Sequence, residues 1–333
     1  MLIYATLVLK EKTMETDLIK FYKQTSQFTD LDRYNDDAIF LWEQKCKKSL
    51  KTLCLYLMNV TIHRVILQLA IKGNDLSEYG DFSYIDYTTP MSEDDIFLTA
   101  NAMFAEIFRR DEKGFYLGRP TNTRINVTCR YVSILVNAIL KANNIAVRSR
   151  VGWARYLGPL VQNHWINEYY SEEQKRWIMF DLDDLYDPDF GKLVMYKQNK
   201  IAYEYLDIKS NQFYTSAEAW LNYRKNEKFI DNFRILSNKV SVKDLIQNLF
   251  SDFFAIMNME NHYYTLPIAF DKEKYTEADL LEVDTLANLM LDVNKNFDKL
   301  QDKLSIPKYR MVTSPLVKKD AFNLLIQTKK YKI

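Results

Sequence analysis

Apolar residues recur at spacings of three and four from residue 29 to about 72, in TDLDRYNDDAIFLWEQKCKKSLKTLCLYLMNVTIHRVILQLAIKG, and the pattern stops at Gly73. That period predicts helix throughout, because 3.6 residues per turn brings such positions onto one face. Residues 73–91 carry two glycines and a proline and read as a connection. Ser92 and Asp95 stand at the offset of a capping box, so the next helix is expected to open there and to run to about Arg110. Gly114, Gly118, Gly152, Gly158 and Gly191 are five of the seven glycines and mark 110–195 as the region of tight turns. Within it, Cys129 to Ala142 has helical spacing and stops at Asn143 and Asn144. Residues 145–151 alternate as a strand that Gly152 breaks, and HWINEYY and RWIMFDLD flank the charged SEEQK as an antiparallel hairpin. Beyond Asp187 and Pro188 the chain returns to helix, with starts at Thr215 to Glu218, Ser241 to Asp244 and Thr276 to Asp279.

The pattern implies an α+β fold, read as a single domain over 1–333: an N-terminal helical part (14–111), a mixed core (112–190) and a mainly helical C-terminal part (191–333). LIQNLFSDFFAIM and LLEVDTLANLMLDV read as helices packed on the core. MLIYATLVLK has no positive residue before its apolar run and no cleavage site after it, and is too short to span a bilayer. Met14 opens an ordinary polar stretch, so residues 1–13 are expected to be an extension from an upstream start. Lysine and arginine total 45 against 44 aspartates and glutamates, a net charge of +1 that attracts neither nucleic acid nor an anionic membrane, and neither partner is expected. Three cysteines, Cys46, Cys54 and Cys129, imply no disulfide framework and point to a reducing cytoplasm.

Cys129 falls in the first turn of its helix, where unpaired N–H groups and the helix dipole stabilise a thiolate and offer donors to an oxyanion. A buried structural cysteine is the commoner fate of any one cysteine. If residues 171–174 form the hairpin loop, Tyr170 faces Lys175 and His164 lies directly opposite Asp181, where a carboxylate holds the imidazole in one tautomer. Cysteine, histidine and aspartate so arranged make a workable thiolate triad. His63, in mid-helix VTIHRVIL, and His262, in MENHYY with no acid placed by pattern, are expected to be structural or surface groups. Cys46 and Cys54 lie eight apart on one helix face and read as core. No metal site is expected, since C-x-x-C, H-E-x-x-H and a second cysteine near Cys129 are all missing. Asp183, Asp184, Asp187 and Asp189 lack the glycine and final glutamate of a calcium loop and read as a solvated acidic turn.

The order CRYVSILVNAILKANNIAVRSRVGWARY, HWINEYY, RWIMFDLD resembles the core of the transglutaminase-like superfamily, and in particular its bacterial branch. GRPTNTRINVTC and SAEAWLNYRKNEKFIDNF resemble that branch as well. The resemblance implies a papain/transglutaminase-like core over about 112–190, a nucleophile helix packed on an antiparallel sheet, with helical additions at both ends. It makes Cys129 the nucleophile, His164 the general base and acid, and Asp181 the orienting acid, with no cofactor. The implied reaction is attack on an amide or peptide carbonyl of a protein or peptide substrate, through a thioester passed to an amine or to water. Cysteine peptidase or amidase activity is the alternative, and a non-catalytic interaction domain that keeps the fold is a second. Trp153 and Trp165 flank the triad in sequence, as thioester shields or as core, and Arg148 and Arg150 read as acidic-substrate ligands or as a solvated strand face.

Overall fold

The computed structural model describes residues 17–77, 80–86, 88–90, 92–157, 159–183, 205–263 and 265–309. Residues 1–13, Gly158, Asp184, Asp187, Pro188, Asp189 and Gly191 lie outside the described residues.

The chain is mixed α and β. Helix α1 (Asn35–Phe40) widens into a π turn over Leu41–Lys45, and α2 (Leu50–Val60) starts at Ser49, whose hydroxyl accepts the Thr52 N–H. The predicted continuous helix then breaks. Thr61–His63 forms strand β1, paired in parallel with β2 (Ile125–Val127), so that His63 stands beside Val127. Val60, Thr61 and Ile62 are β-branched in succession, which disfavours helix and suits a pleated strand once a partner is supplied. Helix resumes as α3 (Arg64–Ile71), capped by His63 Nδ1, which accepts the Val65 N–H at 3.3 Å.

Helix α4 (Ala100–Arg110) is capped by Thr99 and not, as predicted, by Ser92. The acids before it are spent on the neighbouring strand: Glu93 Oε2 accepts the Asn126 N–H at 2.7 Å, and Asp94 Oδ1 accepts the Thr128 N–H at 3.2 Å. These two contacts fix the chain just ahead of Cys129.

Next come α5 (Cys129–Ala142), β3 (Val147–Ala154), β4 (Val161–Ser171), β5 (Arg176–Phe180) and β6 (Phe213–Thr215). They are followed by α6 (Ser216–Lys225), β7 (Phe233–Ile235), β8 (Asn238–Lys239), α7 (Val242–Ile256), α8 (Glu277–Met290) and α9 (Val293–Ser305). Capping boxes open α6, α7 and α8 where the sequence predicts them. The sheet runs β6-β3-β4-β7-β8, with β5 also on β4; its pairs are antiparallel except β4 with β7. Gly152 does not end β3 but pairs on both sides, with His164 and with Thr215. A Cβ at Gly152 would meet Tyr214 O at 2.2 Å, so glycine is what lets β6 approach.

Helix α5 packs on β3 and β4, and α7 on β3, leaving every residue of β3 buried. Arg148 and Arg150 are therefore neither solvated nor substrate ligands. Arg150 pairs with Asp252 of α7 (Nε to Oδ1, 3.0 Å) and with Glu168 of β4 (3.1 Å), and Arg148 Nε donates to Glu168 at 2.7 Å. Asp252 Oδ1 also accepts the Val151 N–H at 2.8 Å. Charges this deep persist only when paired. Among the described residues no helix is long and apolar enough to cross a membrane.

Asp252→Ala strips Arg150 of its carboxylate on α7 and the Val151 amide of its acceptor. It should lower stability by about 3–5 kcal/mol in urea denaturation, the range for breaking a buried pair from one side.

Candidate active site

Strand β2 delivers the chain to Thr128, extended and N-terminal to α5, so that Cys129 is the first helical residue. Tyr131 and Val132 N–H groups both return to Thr128 O, which leaves the Cys129 and Arg130 N–H groups outside the helix ladder. The Arg130 N–H donates to Tyr263 Oη at 3.1 Å, and that hydroxyl lies 3.0 Å from Thr128 Oγ1 and 3.1 Å from Cys129 Sγ.

The β4–β5 hairpin carries the other two residues of the predicted triad. His164 Nε2 meets Asp181 Oδ2 at 2.7 Å, which leaves Nδ1 as the ring nitrogen available to the thiol. Asp181 is fully engaged: Oδ2 also accepts from Tyr156 Oη at 2.9 Å, and Oδ1 accepts the Asp183 N–H at 2.8 Å. The register differs from the predicted one. Ser171 pairs with Arg176 and Asn167 with Phe180, because the four-residue loop is 172–175 and not 171–174. His164 is therefore not opposite Asp181 but diagonal to it, beyond the end of the ladder. Strand side chains alternate with a period of two, so a two-residue slip keeps Asp181 on the same face and brings Asp183 toward the position opposite His164.

That slip explains why a second carboxylate enters. Reactive atoms of Cys129, His164 and Asp183 all lie within 4.8 Å of one another. Asp183 is buried, not part of a solvated turn, and its Oδ2 has no hydrogen-bond partner among the described residues. The His63 Nε2 lies 3.7 Å from that oxygen. Burial pushes the Asp183 carboxyl up to about 7. Burial also raises the Cys129 thiol, but the neighbouring His164 imidazole outweighs it, with His63 adding to the effect, and the thiol falls to about 5. Burial alone would lower His164, yet Asp181 and the thiolate hold it well above the usual histidine range.

Every histidine of the chain lines the same cleft, a cavity of about 820 Å³ with Cys129 and His164 in its wall. His63 and His262 are thus not the structural or surface groups their sequence positions imply. His63 arrives through the β1–β2 pairing, signalled only by the β-branched run before it. His262 Nε2 stands 2.8 Å from Asp95 Oδ1, an acid no local pattern connects to it. Tyr263 had no sequence signal at all. Trp165 lines the cleft and meets the Tyr263 ring edge-on at 6.1 Å. Trp153 does not line it; it is buried in the core against Phe233. Cys46 and Cys54 are buried thiols, Cys54 Sγ lying 3.4 Å from Leu182 O, and burial pushes Cys46 up to about 12.

No protein-family model matches the chain, and no curated protein or solved structure is similar enough to it to count as a match.

The geometry predicts selective alkylation of Cys129 by iodoacetamide, read by peptide mass mapping, with Cys46 and Cys54 unlabelled in the folded protein. The labelling rate should rise through a pH near 5, where the thiolate forms. In His164→Ala the rise should move up toward the free-thiol value of about 8.5.

Proposed function

We propose that the chain is a thiol enzyme with a papain/transglutaminase-like core, cleaving an amide bond of a protein or peptide substrate through a Cys129 thioester. One observation carries this reading: a cysteine at a helix start, with N–H groups outside the helix ladder beside it, faces an imidazole whose far nitrogen is held by a saturated carboxylate. An interaction domain has no use for a thiol kept anionic at such a cost in burial. Three cysteines with no disulfide among the described residues suit a reducing, cytoplasmic setting.

The Cys129 thiolate attacks the carboxamide carbon, and the carbonyl oxygen becomes an oxyanion beside the Cys129 and Arg130 N–H groups. Tyr263 Oη stands where that oxygen must go, 3.1 Å from both Sγ and the Arg130 nitrogen, so substrate binding has to displace it. The His164 imidazolium gives its Nδ1 proton to the leaving nitrogen as the C–N bond breaks, and the thioester remains. A second nucleophile, an amine or water, then loses its proton to the same Nδ1 while attacking the thioester, and the thiolate leaves. Trp165 lies against this site and limits the access of water to it.

Peptides bearing side-chain carboxamides, incubated with and without a primary amine or hydroxylamine, separate the outcomes by mass. Ammonia release with amide or hydroxamate product identifies transfer, and release with acid product identifies hydrolysis. Either activity should fall by at least about 10³-fold in Cys129→Ala; turnover that survives this substitution contradicts the proposal.

Tyr263→Phe should raise kcat/KM several-fold by freeing the oxyanion site. A fall of about 10²-fold or more would instead make the tyrosine hydroxyl an oxyanion donor in its own right.

A further inference from the structure

The catalytic reading leaves Asp183 unexplained. Its carboxylate is buried, lies beside the thiol and the imidazole, and has an oxygen, Oδ2, without a hydrogen bond among the described residues. The His63 ring nitrogen stands 3.7 Å from that oxygen, beyond hydrogen-bond reach, so the oxygen keeps capacity for a further partner in the cleft that Asp183 lines. Asp181, two residues earlier on the same face, is not comparable, because its oxygens serve His164, Tyr156 and the Asp183 N–H.

We propose that Cys129 Sγ, His164 Nδ1 and an Asp183 carboxylate oxygen form a site for a thiophilic divalent cation, zinc foremost, which blocks the thiol while bound. A thiolate, an imidazole and a carboxylate are the three donor types zinc takes, and tetrahedral ligation at about 2.0–2.3 Å spaces such donors about 3.3–3.8 Å apart. The three reactive atoms are already within 4.8 Å of one another, so side-chain adjustments of about an ångström close the site. The ion would take the place of the His164 Nδ1 proton, so one more positive charge would stand beside the thiolate and the Asp183 carboxylate, in a place where unpaired charge is costly.

The surroundings meet the further needs of a metal site. The Asp181 carboxylate on Nε2 fixes the ring, as a carboxylate behind a metal-bound histidine does, and leaves Nδ1 directed away from it to ligate once its proton is displaced. His63 is not a fourth ligand. Its Nδ1 accepts the Val65 N–H, which puts the ring proton on Nε2, facing Asp183 as a donor. All three donor residues line the cleft, which gives an ion a way in and out. Binding uses the same thiolate and imidazole as the proposed reaction, and only its inhibitory consequence rests on that reading.

Cobalt(II) is the probe, since a thiolate-to-cobalt charge-transfer band reports sulfur ligation directly. The band should appear in chelator-treated wild-type protein and saturate at one equivalent. It should be lost in Cys129→Ala, and in Asp183→Asn, which keeps the side chain's shape, it should need at least about tenfold more cobalt. Zinc should compete for the band and protect Cys129 from iodoacetamide until chelator is added. No band in the wild type, a band that survives Cys129→Ala, or equal affinity in Asp183→Asn overturns the site. Alkylation of Cys129 in chelator without any cobalt band sinks the ion site and leaves the thiol enzyme standing. A cobalt band with the expected dependence, in a protein that turns over no amide when metal-free, supports the ion site and sinks the enzyme reading.

Discussion

The contact between His164 Nε2 and Asp181 Oδ2, 2.7 Å and wholly buried, is what the charge state of the cleft depends on. An imidazole taken out of water would ordinarily lose its proton, and a thiol taken out of water would keep it. Asp181 reverses the first tendency, and the charged imidazole then reverses the second. The carboxylate can do so because its own oxygens are tied to Tyr156 and to the Asp183 N–H, so it has no competing orientation. Removing any link in this chain leaves the next one as an uncompensated charge in the interior.

The fold makes that arrangement rigid by joining three distant segments to β2 at the N-terminal end of α5. Strand β2 sets Thr128, the acids ahead of α4 hold β2, β1 lays His63 alongside, and the hairpin brings the imidazole and two carboxylates. Behind the site, Arg150 bridges β4 and α7 through Glu168 and Asp252. A buried ionic clamp of this kind adds little net stability over an apolar contact but strongly penalises any other register, because each charge has one satisfactory place. The thiol, the imidazole and the extra carboxylate are thereby held in one small volume, where the proposed proton transfer and the proposed metal ligation would exclude each other.

What the sequence revealed followed the range of the interaction. Cys129, His164 and Asp181 were legible because a helix start and a hairpin are local patterns, and because a two-residue error in register leaves a strand's faces unchanged. The same error hid Asp183, which looked like part of a polar turn. His63 was misread because helical periodicity ran through Val60–Ile62, and only the partner strand, more than sixty residues on, reveals the extended conformation. Tyr263 lies 134 residues from Cys129 and has no signature short of the folded structure. Arg148 and Arg150 were taken for one face of an alternating strand. Alternation cannot show that β3 is covered on both sides, with its charges paired inside.

The most direct test of this account is the protonation state of the His164 ring at neutral pH, read from its nitrogen-15 and proton NMR signals. Only three histidines require assignment, and His63→Gln and His262→Gln variants identify the third. An activated thiolate predicts an imidazolium in the metal-free wild type, whose titration midpoint falls when Cys129 is replaced by serine. A neutral ring at pH 7 in the wild type, or a midpoint indifferent to Cys129→Ser, would contradict it.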